Sequence, residues 1–259
     1  MKKPSTLFLF LLLTCTYYTQ KNCNIYKHNG NIIRYNACLK CEDAIIYYQF
    51  SKEFQEICDK AISIDSNYAY PYVAKSVAYL KSGDFLQWKQ LIDKAVQLNP
   101  IEHLGYRASC RFQFFHDYKG CIKDIEKLDS LVSYDLGEIH NGDYHLNTIK
   151  AISYDAIGET RKAIQVLNKH MNSKEYFALI YDNLLMGLFY LKEQKYDQAI
   201  LYFKKQENLN NISENQYYLG LIYKHLNDLK SAETSIKSAL NLYNKKNKMN
   251  DPYSAPYGK

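Results

Sequence analysis

Apolar residues along this chain fall into short runs at helical spacing, separated by residues that favour turns. In residues 69–100, Tyr72, Ser76 and Tyr79 recur every three or four positions and predict an amphipathic helix. Gly83-Asp84 interrupts that pattern with turn chemistry. Phe85, Trp88, Ile92 and Ala95 then resume it, and Asn99-Pro100 closes the second helix. The small residues Ser76 and Ala95 let two helices approach closely, while the aromatic side chains fill the space beside them.

The same order returns downstream. Ser109 precedes a turn at Asp117-Tyr118, followed by Cys121, Ile125 and Leu128. The next copies read Ala151, Tyr154, Gly158-Glu159, Ala163, Leu167 and then Gly187, Tyr190, Tyr196, Ala199, Phe203. The last reads Gly220, Tyr223, Asp228-Leu229, Ala232, Ile236, Ala239. Upstream, Phe54, Cys58 and Ala61 form the second helix of a degenerate first copy that starts near Tyr35. The step from Ser109 to Ala151 is longer than the others, which places an insertion around residues 132–142.

A small residue, an aromatic, a Gly-Asp-aromatic turn, an Ala and a terminal Pro, at a period of about 34 residues, resembles the tetratricopeptide repeat. The resemblance covers residues 35–246. It implies an all-α fold, a right-handed α-solenoid of about six antiparallel helix pairs, at 35–68, 69–101, 102–135, 144–177, 180–212 and 213–246. It also implies that first helices line a concave groove that accepts an extended peptide or a partner helix. Carried onto this chain, the groove positions are Tyr70, Val73, Val77 and Lys81, then His103, Tyr106 and Gln113, then His145, Thr148 and Asp155. The last two copies add Tyr181, Leu184 and Leu188, and Tyr217, Leu221, Lys224 and His225. The carboxylate clamp of the family's chaperone-binding members is not reproduced at these positions. Tyr stacking and apolar anchors would therefore hold the partner.

Composition narrows the function. Hydrophobic residues make up 47% of the chain, which suits an ordered body. The 26 tyrosines fit either a recognition surface or filler between helix pairs. Net charge is +6, and loss of Lys2 and Lys3 with a leader would lower it by two. Lysines alternate with acidic residues along polar helix faces, and the one dense basic run is at 245–248. A clustered basic stripe with stacking aromatics is missing, so nucleic acid is not an expected partner.

Lys2 and Lys3, the apolar run at 7–13 and Thr14-Cys15 read as a secretory leader. Its Leu-Leu-Thr-Cys ending resembles a bacterial lipobox, so residues 1–14 are expected as signal peptide and Cys15 as a lipidated residue. Residues 15–34 are then expected as a tether and 247–259 as a C-terminal tail. The expected location is the periplasmic face of an outer membrane.

Besides Cys15, six cysteines remain. Cys41 with Cys58, and Cys110 with Cys121, sit on paired helices and are candidates for disulfides; buried free thiols are the equal alternative. Cys38 and Cys41 have the Cys-x-x-Cys spacing, without the βαβ context of a redox enzyme or a second ligand pair for zinc. His140, Asp143 and His145 form a second polar cluster, read as a turn with Asp143 near a helix N-cap. No catalytic constellation, cofactor, metal or small-molecule substrate is expected. The reading is a non-enzymatic, membrane-tethered scaffold for a protein or peptide partner. Its alternatives are an immunity-type lipoprotein that neutralises a secreted toxin, and a thiol or metal enzyme centred on Cys38/Cys41 or His140/His145.

Overall fold

The computed structural model describes residues 22–139 and 142–249. The described chain is helical throughout, with a single isolated bridge between Glu138 and His145. It divides after Leu91 into two compact units. None of its helices is long and apolar enough to cross a membrane.

The first unit holds α1 (Asn24–His28), α2 (Ile32–Glu42), α3 (Lys52–Ile64), α4 (Tyr70–Ser82) and the start of α5 (Phe85–Leu98). Asn31 and Ser51 cap α2 and α3 by accepting the N–H of Arg34 and Phe54. Ala37, Cys38, Cys41, Ala61 and Tyr68 pack together between α2 and α3. Arg34 ties this pair to the following loop, donating from Nε to Asp65 Oδ2 at 2.8 Å and from Nη2 to the Asn67 carbonyl at 2.9 Å.

Residues 22–34, expected as tether, are folded. They carry α1 and the first turn of α2, and Cys23 forms a disulfide with Cys38 across a Cα–Cα distance of 5.6 Å. Cys41, Cys58, Cys110 and Cys121 are buried and in no disulfide, so neither candidate pairing, Cys41 with Cys58 or Cys110 with Cys121, forms. The pairing escapes a repeat-based reading because Cys23 lies upstream of the first repeat.

The second unit begins inside α5 and continues through α6 (Pro100–Cys110), which runs into a π-helical turn at Arg111–Phe115, and α7 (Tyr118–Asp129). Three further pairs follow: α8 (Leu146–Ala156) with α9 (Thr160–Met171), α10 (Asp182–Lys192) with α11 (Tyr196–Leu209), and α12 (Ser213–His225) with α13 (Leu229–Asn244). One apolar core runs through this unit, from Val96 to Met249.

Each small residue of a first helix is buried. Ser76, Ser109 and Ala151 are almost completely enclosed, and both serine hydroxyls donate to a carbonyl of their own helix, which spares them a desolvation cost. At Gly187 a Cβ would lie 2.6 Å from the Phe203 ring of α11; at Gly220 it would lie 2.7 Å from Ile236 of α13. A methyl group at either position would force the facing side chain to shift. Seven residues after each small residue the backbone turns left-handed, at Gly83, His116, Gly158, Gln194 and Asn227. Only two of these are glycine. The others carry the roughly 1–2 kcal/mol strain of a side chain in that region, least at Asn. The next residue opens the second helix, and Asp84, Asp117 and Asp228 each accept the N–H three positions on.

A charged network lies between α6 and α7. Arg107 donates from Nε and Nη2 to Asp124 at 2.9 and 2.6 Å and from Nη1 to Asp93 at 2.7 Å, and Arg111 Nη1 sits 3.0 Å from Asp124. Asp124 is almost fully buried, so two guanidinium groups offset its desolvation.

The insertion between α7 and α8 is a compact loop. Ile139 N–H donates to the Tyr144 carbonyl at 2.8 Å and Leu146 N–H to the Gly137 carbonyl at 3.0 Å. The N-cap of α8 is His145, whose Nδ1 accepts the Asn147 N–H; Asp143 does not fill that place. At the other end, α13 stops at Asn244 and the chain folds back. Ser213 N–H donates to the Asn247 carbonyl, Met249 N–H donates to Glu214, and Met249 is buried in the core.

The disulfide gives the first prediction. Closing a 15-residue span restricts the unfolded chain by about 3 kcal/mol. The Cys23→Ser/Cys38→Ser protein should show that loss in urea unfolding, and dithiothreitol should reproduce it in the wild type but have no effect on the variant.

Candidate peptide-binding surface

The positions expected to line a groove divide by accessibility. In the first unit, Lys81 of α4 is exposed, Tyr70 is only about one-third exposed, and Val73 and Val77 are half-buried. Burial and the neighbouring Cys41 and Cys58 raise the Tyr70 phenol pKa.

In the second unit most expected positions are enclosed. His103, His145, Thr148, Asp155, Tyr181, Leu184 and Leu188 are buried and offer no surface to a partner. Tyr106 and Gln113 are half-buried, and burial beside Cys110 pushes the Tyr106 phenol far up. The enclosed polar residues hold helices together. Asp155 of α8 accepts from Thr160 Oγ1 at 2.6 Å and pairs with Lys192 of α10. Thr148 Oγ1 donates to Asp182 Oδ1 at 3.0 Å, while Tyr176 and the Leu179 N–H both donate to Oδ2 at 3.2 Å. Burial raises the Asp182 carboxyl pKa against those bonds.

His145 faces inward. Its Nε2 lies 2.9 Å from Asp135 Oδ1, and its ring stacks on His170 with centroids 3.9 Å apart. Burial, with His145 alongside, lowers the His170 pKa to about 4. Asp143 takes no part in this group, and His140 lies outside the described residues. Asp135 and His170 were absent from the sequence-based cluster because the three residues meet only through the loop and α9.

The expected positions of α12 remain open. Tyr217, Leu221, Lys224 and His225 are exposed. Tyr217 forms one wall of a cavity of about 410 Å³ between α12 and α13, completed by Ser213, Glu214, Tyr218, Ile236, Ala239, Leu240 and Tyr243. Tyr217 is 48%, Leu240 62% and Tyr243 56% exposed, a concentration of apolar area at the end of the helix series. The α13 half was not foreseen, because the family expectation assigns the groove to first helices. The exposed pair Ile236 and Leu240, one turn apart, was its signal.

The buried cysteines lack the setting of reactive thiols. Burial raises the pKa of Cys58, Cys110 and Cys121 to about 12, so little thiolate forms near neutral pH. Cys38 is bonded to Cys23, which leaves no Cys38–Cys41 couple.

The tetratricopeptide repeat family profile matches residues 69–102, 183–212 and 214–246. Among solved structures, the chain is similar to YrrB, described as a tetratricopeptide protein with an unusual peptide-binding site. The TM-score is 0.57 at 16% identity, over 73% of this chain and 93% of that one. It is also similar to PilF of Pseudomonas aeruginosa, with a TM-score of 0.56 at 14% identity over 86% and 92%. PilW, described as a type IV pilus biogenesis factor, gives 0.57 at 11% identity over 87% and 92%. A search of curated proteins found no match. These likenesses concern the fold, and the repeats match both the profile and the helix pairs described above. The chain carries tetratricopeptide repeats.

Proposed function

We propose that this scaffold holds an extended peptide or partner helix on the α12–α13 surface, and that it does so from a membrane of the bacterial envelope. The carrying observation is the open apolar cleft walled by Tyr217, Ile236, Leu240 and Tyr243. Aromatic and aliphatic side chains around a partly desolvated pocket are the usual energetic centre of a protein interface. The cleft's polar end is already satisfied, since Glu214 accepts from the Met249 N–H and from Ser213 Oγ. Its occupant is therefore recognised chiefly through apolar anchors.

Two features support the envelope location. The leader with Cys15 is one, although Cys15 lies outside the described residues. The Cys23–Cys38 disulfide is the other, because such bonds persist in oxidising compartments.

Peptides selected from a displayed random library against the purified protein should bind the wild type at least tenfold more tightly than the Tyr217→Ala/Leu240→Ser variant, measured by fluorescence anisotropy. Circular dichroism should show equal helicity for the two proteins. Equal affinity would remove the cleft as the binding surface.

For the anchor, cells fed an alkyne-tagged fatty acid should label the full-length wild-type chain and leave the Cys15→Ser chain unlabelled. Equal labelling of both, or of neither, contradicts lipidation at Cys15.

A further inference from the structure

Asp135, His145 and His170 come from three separate elements: the insertion, the N-cap of α8 and the last turn of α9. One donor atom from each lies within 4.8 Å of the other two. His145 Nδ1 accepts the Asn147 N–H at 3.0 Å, so its proton sits on Nε2 and is donated to Asp135 Oδ1. His170 is only 7% exposed, and its Nε2 is buried with no hydrogen-bond partner. An enclosed imidazole nitrogen with nothing to bind is uncommon and calls for an explanation. Tyr176 packs edge-on against the same ring, with centroids 5.2 Å apart.

We propose that Asp135, His145 and His170 bind a divalent transition-metal cation of the zinc class, which fastens the insertion to α9. Two imidazole nitrogens and one carboxylate oxygen suit zinc or its first-row neighbours, whereas magnesium and calcium prefer oxygen alone. Bonds of about 2.0–2.1 Å in a tetrahedral shell place ligand atoms about 3.3 Å apart, so the donors need to draw in by at most about 1.5 Å. The stacked rings must tilt for their lone pairs to converge. Asp135 carries the adjustable part of that movement, since it lies on a loop with its side chain about one-third exposed. The same exposure admits water as the remaining ligand.

A competing interaction sets the cost. When Nε2 of His145 takes the metal, its proton moves to Nδ1, and the capping bond from Asn147 is lost. Loss of one cap weakens folding by about fivefold. Structural zinc sites have apparent binding constants above ~10⁷ per molar, so a fivefold cost still leaves a constant above ~10⁶ per molar.

The test uses the metal-stripped full chain titrated with Co²⁺, followed by its visible d–d absorption, and with Zn²⁺ by calorimetry. One equivalent should bind per chain, and Zn²⁺ should displace Co²⁺ and bleach the absorption. Asp135→Asn and His170→Ala should each weaken binding at least ~100-fold, while His28→Ala, at an exposed histidine outside the cluster, leaves it unchanged. Asp135→Asn is a near-isosteric change on an exposed loop, so it keeps the test decisive if His170→Ala lowers helicity. Absence of stoichiometric Co²⁺ binding by the wild type overturns the proposal. So does full affinity in the Asp135→Asn protein.

Discussion

Close approach of paired helices at one small residue per repeat is the constraint on which the second unit's packing rests. Gly187 and Gly220 make this concrete, because the Phe203 ring and the Ile236 side chain occupy the space a methyl group would need. Once those contacts are set, the position of the turn follows. The left-handed residue comes seven positions later in every pair from Ser76 onward, whether it is glycine, histidine, glutamine or asparagine. Chain geometry at that point therefore takes precedence over local preference. The strain at His116 and Gln194 is tolerated because packing on both sides demands the turn.

Polar side chains do much of the work between helices. Asp155 joins α8 to α9 and α10, Asp182 gathers Thr148, Tyr176 and the Leu179 N–H, and Asp124 lies between two arginines. Each buried carboxylate has its partners, which is what makes its burial tolerable. Exposed apolar side chains occur along the whole described chain, but Tyr217, Ile236, Leu240 and Tyr243 of α12 and α13 line one shared cleft, beyond which no further helix pair follows in the described chain. That cleft is what the functional proposal rests on.

The helix pairs were legible in the sequence because their determinants are local. A small residue, a turn and a run of apolar positions all lie within one repeat, and the profile matches at 69–102, 183–212 and 214–246 fall on such pairs. Accessibility was less legible. Leu184 and Tyr217 hold equivalent places in α10 and α12, three residues before Gly187 and Gly220, yet one is buried and the other about half exposed, because burial depends on what packs against the helix from elsewhere. The Cys23–Cys38 bond and the Asp135–His145–His170 group were hidden for the same reason. Each joins a repeat to a segment outside the repeat pattern, and no spacing rule reports such a contact.

The claim that helix approach is set by the missing side chain is tested most directly by a double-mutant cycle of Gly187→Ala and Phe203→Leu, read by urea unfolding. Replacing Gly by Ala improves helix propensity by up to ~1 kcal/mol, which can mask the steric cost in the single variant. The cycle cancels that contribution. If the methyl group and the ring compete for one space, Phe203→Leu should relieve Gly187→Ala, and the two changes should couple favourably by at least ~1 kcal/mol. Additivity within about 0.5 kcal/mol would contradict the account, because the two side chains would then not share the space on which the pairing is held to depend.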